Sequence, residues 1–392
     1  MKVKWLMVFS LCALSACSTN VTQHKRFVSN YHHLVHDEMF NANKFVNIQT
    51  EQEIFKLNAP MQTMVKEKLL PIKDLKQRTL MLLKQIFLAK NLGLVYQGSA
   101  NLSAVDTYTN AKANCLSLTI MAYALAKAAN LPVRFQQVKI PEFWVREGDY
   151  NLLTGHVNLQ VQSKPKSGKR IDIVSERMQI DFDPFTAKKL FPTKTINKES
   201  VVAMFYNNIG AEFMINHQYD KAFQYFKAAI NQLPDYSSAW GNLALLYRKM
   251  GQGGFAEQTY RYALALNPEN YTVLANLALL LQANGALPEA AQINAFLARK
   301  RKSNPYYFSM LADEAVHAGK LTKAVGYYKQ AIRMNNRIDG FYAGIAKVYY
   351  RLKQYDKAKG ALKRAIVLNK YPDVEAKYTA KLYVLEKTLY DN

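Results

Sequence analysis

Residues 237–268 read SSAWGNLALLYRKMGQGGFAEQTYRYALALNP, and this stretch decides the fold of the C-terminal half. Gly210, Ala222, Phe226, Ala229 and Pro234 recur at one constant spacing as Ala244, Ala256, Tyr260, Ala263 and Pro268. Trp240, Leu243 and Tyr247 complete the pattern of the second unit. Small residues at such sites let paired helices approach closely, and the aromatic residues fill the gaps between them. A third unit begins near Tyr271 with Leu274, Leu277 and Ala278, but its second helix departs from the pattern. The next unit starts near Pro305. Leu311, Ala312, Ala324, Tyr328 and Ala331 are matched, at the same spacing, by Ile345, Ala346, Ala358, Leu362 and Ala365. Residues 201–372 therefore hold about five units, and residues 373–392 read as a capping helix.

This period and residue set resemble the tetratricopeptide repeat, whose length is ~34 residues. The resemblance implies an all-α superhelix with a concave face suited to extended peptides, and so a protein or peptide partner. His217 and His317 fall at the ends of first helices and read as surface or packing residues.

The other end of the chain is read differently. Met1-Lys2-Val3-Lys4 precedes an apolar run from Trp5 to Leu14, too short to span a bilayer. Leu14-Ser15-Ala16-Cys17 resembles a bacterial lipobox, with residues 1–16 as signal peptide and Cys17 as the lipidated residue. Ser18 follows rather than Asp, which by the usual sorting pattern favours the outer membrane. The expectation is an outer-membrane lipoprotein facing the periplasm, with residues 17–30 as a tether. The net charge is +23. It fits a solvated surface or an acidic envelope component as partner. No basic stripe with interleaved aromatics marks a nucleic-acid surface.

Of three cysteines, Cys12 lies in the signal and Cys17 takes the lipid, which leaves Cys115 without a disulfide partner in an oxidising compartment. Asn114 can cap a helix that opens at Cys115. Leu118, Met121, Leu125 and Ala128 share one apolar face of that helix, which ends before Pro132. Unpaired amides and the positive dipole end of a helix start favour an anion. Val133–Val138 reads as a strand. In His156-Val157-Asn158-Leu159-Gln160-Val161 the apolar residues face one way, and His156, Asn158 and Gln160 face the other. In Gln179-Ile180-Asp181-Phe182-Asp183, Ile180 and Phe182 share one face while Asp181 and Asp183 share the other. Antiparallel pairing can set an aspartate beside the histidine and the histidine beside the thiol. That is the arrangement of thiol catalysis through an acyl-enzyme. Asp181 and Asp183 both remain candidates for the acid, with Asp172 a weaker third.

Asn114-Cys115-Leu116-Ser117-Leu118, Ala129-Asn130-Leu131-Pro132-Val133-Arg134-Phe135, Gly155-His156-Val157-Asn158 and Asp181-Phe182-Asp183-Pro184 together resemble the transglutaminase-like core. The resemblance covers roughly residues 90–190. It implies a cysteine on a helix, then a histidine and an aspartate on successive strands. The fold expected for the whole chain is an α+β transglutaminase-like domain over residues 31–195, followed by the repeat superhelix. The function expected is hydrolysis or amide transfer at a peptide or amide bond, with Cys115, His156 and Asp181 or Asp183 catalytic. Asn114 would cap the helix beside the oxyanion. The competing expectation is an inactive scaffold that organises an envelope or secretion assembly, and a third is a peptidase of cell-wall stems.

His32 and His36 have the i, i+4 spacing that binds a metal on a helix, but no further ligand follows, and a solvated helical face is the plainer reading. Neither a glycine-rich phosphate loop nor a zinc-type cysteine pair is present, so no metal and no cofactor is expected. Pro141-Glu142-Phe143-Trp144 either lines a cleft or covers the core. Gly98–Ala113, rich in small and polar residues, reads as a loop.

Overall fold

The computed structural model describes residues 31–41, 47–87, 95–98, 100–110, 112–147, 150–162, 177–182, 191–369 and 372–390. In chain order the first elements are α1 (Glu51–Ile54), α2 (Ala59–Met64), α3 (Leu75–Phe87), β1 (Val95–Tyr96), α4 (Ala104–Asn110), β2 (Lys112–Ala113) and α5 (Cys115–Ala128). Four strands follow: β3 (Val133–Glu147), β4 (Tyr150–Gln162), β5 (Arg177–Ile180) and β6 (Thr193–Ile196). Helices complete the chain: α6 (Lys198–Ile215), α7 (Tyr219–Gln232), α8 (Ser237–Lys249), α9 (Gly253–Leu266), α10 (Tyr271–Ala283), α11 (Leu287–Arg301), α12 (Pro305–His317), α13 (Leu321–Met334), α14 (Asp339–Arg351), α15 (Tyr355–Leu368) and α16 (Pro372–Tyr390).

The described residues gather into two compact units. One draws on Met1–Asn58, Val95–Ile120 and Asn197–Asn284, the other on Ala59–Leu94, Met121–Ile196 and Gly285–Asn392.

In the second unit, β5-β4-β3-β6 form an antiparallel sheet. Phe135 lies opposite Leu159, and Leu159 opposite Ile180, so three buried apolar side chains line up across the strands. Next to them in register, Gln136 lies opposite Asn158 and Val138 opposite His156, and all four are buried. β3 runs well past the short strand expected from its sequence. Its pairing with β4 shifts between Val138 and Phe143 and then resumes to Glu147. Helix α5 closes on a left-handed turn at Asn130 (φ 56°), where the amide of Leu131 reaches the carbonyl of Ala126. Asparagine tolerates that conformation better than most residues.

The helices from α6 onward carry the repeat. α6 packs on α7 and α8 on α9 in the first unit, and α12 on α13 and α14 on α15 in the second. Trp240, Tyr247, Tyr260 and Phe226 are fully buried. A Cβ at Gly210 would stand 2.7 Å from the Phe226 ring, so only glycine allows that helix approach. Left-handed backbone recurs at His217, Gly251, Gly285, Gly319 and Lys353, one such turn per repeat period. α11 is a regular helix, although its sequence leaves the pattern, and it buries only Ala290, Leu297 and Arg301.

Two sequence expectations change. Gly98–Ala113 is not simply a loop, because Ser103 starts α4. Its Oγ accepts the amide of Asp106 and donates to the Asp106 carboxylate at 2.6 Å. Residues 31–41, grouped by sequence with the α+β domain, instead pack on α7, α8 and α9. The aromatic and imidazole rings at 31, 36 and 40 find aromatic partners there.

Candidate functional site

The first turn of α5 is tied to the chain that precedes it. The Asn114 Oδ1 accepts the amide of Ser117 at 2.9 Å, which caps the helix. Its Nδ2 donates to the Gly98 carbonyl and to Asn101 Oδ1 at 2.8 Å. Both amide protons are thereby engaged, so the Asn114 side chain serves the cap and the chain just before it rather than an oxyanion. Ser117 Oγ donates to the Ala100 carbonyl at 2.7 Å and accepts the amide of Leu102. Thr119 donates to the carbonyl of Cys115. Cys115 therefore sits on a braced helix start. It is a thiol rather than half of a disulfide and is partly exposed, whereas Asn114, Leu116 and Ser117 are buried.

The second constellation lies on the sheet. His156 Nε2–H donates to Asp181 Oδ1 at 2.8 Å, with the two side chains only 2% and 4% exposed. Asn158 Nδ2 donates to Asp181 Oδ2 at 2.9 Å, and Gln179 Nε2 donates to the same oxygen at 3.3 Å. The geometry follows from register. Ile180 is the last β5 residue paired with β4, opposite Leu159, so the chain leaves the strand with Asp181 beside Asn158 and within reach of His156. A buried carboxylate needs donors, and His156, Asn158 and Gln179 supply them here. Its bond to Nε2 fixes the imidazole tautomer, with Nδ1 as the ring nitrogen on the far side.

Asn158 and Gln179 are the residues the sequence reading passed over. Asn158 was visible on the His156 side of an alternating strand, and Gln179 stands two residues from Asp181 on its own strand. Either could have been named as a donor to the acid.

The far end of the β3–β4 ribbon is fastened to α11 and α12. The Arg301 guanidinium grips both oxygens of Glu142, at 2.7 and 2.9 Å, while Asn304 donates to the Glu142 carbonyl. The same guanidinium lies 4.8 Å from the centroid of the Trp144 ring, and Phe143 meets Tyr306. The Pro141–Trp144 segment thus takes part in a clasp between strand and helix. Glu142 falls in the register shift that begins at Val138, the partner of His156.

Cys17, Asp172 and Asp183 lie outside the described residues. His32 and His36 occupy two separate short turns rather than one helix. His36 stacks on Phe255, and its Nδ1 pairs with Glu38. Among the described residues no cluster of three or more His, Cys, Asp or Glu could hold a metal ion, and no helix is long and apolar enough to cross a membrane.

Residues 242–305 and 309–375 match the tetratricopeptide-repeat family model. The chain is 38% identical over 65 residues to Protein bimA of Emericella nidulans, covering 17% of this chain and 8% of that protein. It is 25% identical over 190 residues to human Protein O-mannosyl-transferase TMTC3, covering 44% and 20% respectively. The chain thus spans at most a fifth of the length of either relative. Among solved structures it is similar to a thermophilic tetratricopeptide-repeat protein of Thermus thermophilus, with 20% identity over 46% of this chain and 99% of that one, at a TM-score of 0.32. It is likewise similar to pilF of Pseudomonas aeruginosa, with 18% identity over 50% and 95%, at a TM-score of 0.30. The C-terminal helices are tetratricopeptide repeats, a module suited to binding protein or peptide partners.

Proposed function

We propose that the region around α5 and the β3–β6 sheet is a transglutaminase-like thiol enzyme and that the repeats select its protein substrate or partner. The observation that carries this reading is the buried His156–Asp181 pair. A histidine whose Nε2–H is held by a carboxylate has the tautomer of a general base, and Cys115 opens a braced helix as the nucleophile. In the reaction, the Cys115 thiol proton passes to His156 Nδ1 as Sγ bonds to the carbonyl carbon of a peptide or side-chain amide. The C–N bond then breaks, and the amine leaves with the proton from His156. Water or a second amine attacks the thioester, which frees Cys115 and yields an acid or a new amide. Asp181 stabilises the imidazolium between the two steps, and the Cys115 amide faces the developing oxyanion.

Within the same proposal, lipid on Cys17 holds the chain on the periplasmic face of the outer membrane, and the large positive charge that remains once Lys2 and Lys4 leave with the signal attracts an acidic envelope component. A second reading, a non-enzymatic scaffold, is favoured by the two stretches that match the repeat family.

Alkylation of Cys115 as a function of pH separates them, using the soluble chain with and without His156→Ala. Alkylation that stays fast below neutral pH, and slows when His156 is lost, fits the enzyme. A slow thiol indifferent to His156 leaves the scaffold.

A further inference from the structure

Residues 31–41 lie on the repeats as a peptide lies on a receptor. Their own regular structure is two turns of three residues. The other contacts that hold them come largely from the surface beneath. Leu34 is 3% exposed, and its carbonyl accepts the Tyr247 hydroxyl at 3.0 Å. The same hydroxyl accepts the amide of His36 at 3.1 Å. The His36 imidazole stacks on Phe255 at 3.7 Å, and the Phe40 ring on Phe223 at 3.9 Å. Tyr31 meets Trp240 edge-on at 5.3 Å. Lys227 pairs with Asp37 at 2.6 Å, and Asp220 accepts the amide of Asn41. The surface therefore reads a linear pattern: a leucine, a flat ring two residues on, an acid next, and an aromatic three beyond that. Spaced side-chain anchors in pockets, with the backbone fixed by hydrogen bonds, are how a short peptide segment is recognised.

We propose that this face of α7, α8 and α9 is a docking surface for a short linear segment of the chemistry Leu-x-His-Asp-x-x-Phe, and that residues 31–41 occupy it in cis. A partner segment of this chemistry binds by displacing them. A tethered ligand acts at an effective concentration of ~mM, so the cis segment masks the surface from weak competitors. The proposal does not depend on the thiol chemistry.

A fluorescein-labelled peptide of residues 31–41 tests it, by anisotropy against the full chain. Loosening the cis segment with His36→Ala and Phe40→Ala raises the fraction of open surface. It should strengthen peptide binding at least about tenfold over wild type. Adding Phe223→Ala to that variant should abolish the gain, as should Leu34→Asp in the peptide. If the double variant loses helicity, Asp37→Lys loosens the exposed end without touching the buried contacts and should give a smaller gain in the same direction. Equal binding by wild type and loosened variants overturns the proposal, as does absence of binding by folded loosened variants. The segment is then a fixed part of the fold.

Discussion

The sheet region and the repeats bury different things. The repeats bury alanine, glycine and large rings: Ala222, Ala256 and Ala324 against Trp240, Tyr247 and Tyr328. Their buried polar atoms include tyrosine hydroxyls at the ends of apolar rings. At the start of α5 the described buried polar residues include Asn114, Ser117 and Thr119, and on the sheet they include Gln136, His156 and Asn158. Packing of the first kind is chiefly a matter of shape, with a few polar side chains such as Asn207 and Ser237 set among the rings and paired there. Polar burial of the second kind is costly unless each group is matched by a partner at a set distance, and Asn114, Ser117 and His156 are so matched. The difference separates the part of the chain built to stack from the part built to hold a few groups in place.

Perturbing each kind of interior sharpens the contrast, and the largest effect belongs to the repeats. Trp240→Ala should cost about 3–5 kcal/mol, seen as a lowered urea midpoint by circular dichroism, because it empties a fully buried site. Arg301→Ala should cost about 3 kcal/mol in the same assay by leaving Glu142 unpaired, and Arg301→Lys should recover little because the grip is two-pronged. Asp181→Ala should cost about 1–3 kcal/mol, since His156 and Asn158 each lose an acceptor. It should also slow Cys115 alkylation at neutral pH, which no repeat substitution should do. If Asp181→Ala and Trp240→Ala slow the thiol equally, the contrast fails.

Alkali tests the repeats. Burial pushes Tyr236 and Tyr262 up to about 12, and raises Tyr247, Tyr260 and Tyr328 above the usual tyrosine range. An unfolded tyrosine ionises near ~10, so above that pH the unfolded chain binds fewer protons than the folded one and stability falls. Tyrosinate absorbance and loss of helicity should rise together above about pH 10. Tyrosinate signal from these rings without helix loss would contradict the burial. The smallest effect is on the exposed Asp37–Lys227 pair, where Asp37→Ala should shift the midpoint by less than about 1 kcal/mol.

The two regions were also unequally legible. Alanine, aromatic and proline recur at a fixed interval, and nothing else in a sequence imitates that, so the repeat could be read without structure. The capping of α5 by Asn114 and the alternation of β4 were likewise local. What sequence could not give was pairing at a distance. Asp181 and Asp183 are equivalent in pattern, and the bond that joins Asp181 to His156 links residues far apart in the chain. The placement of residues 31–41 depends on sockets far along the chain, and nothing local to His36 announces that Tyr247 will receive its amide. The Ser103–Asp106 cap that starts α4 was local and legible, but the small polar residues around it hid the signal.

From Gly319 to Lys353 the chain advances by one whole period and returns to the same backbone conformation. Residues with matching geometry make natural seams. Excising 320–353 would join α12 directly to α15, turn to matching turn, with Arg301, Asn304 and the Glu142 clasp left upstream of the cut. Duplicating the same segment would lengthen the array by one unit without changing its start. The length of the stack is thus a quantity that insertion and deletion can tune in whole steps, independently of the residues that surround Cys115 and His156.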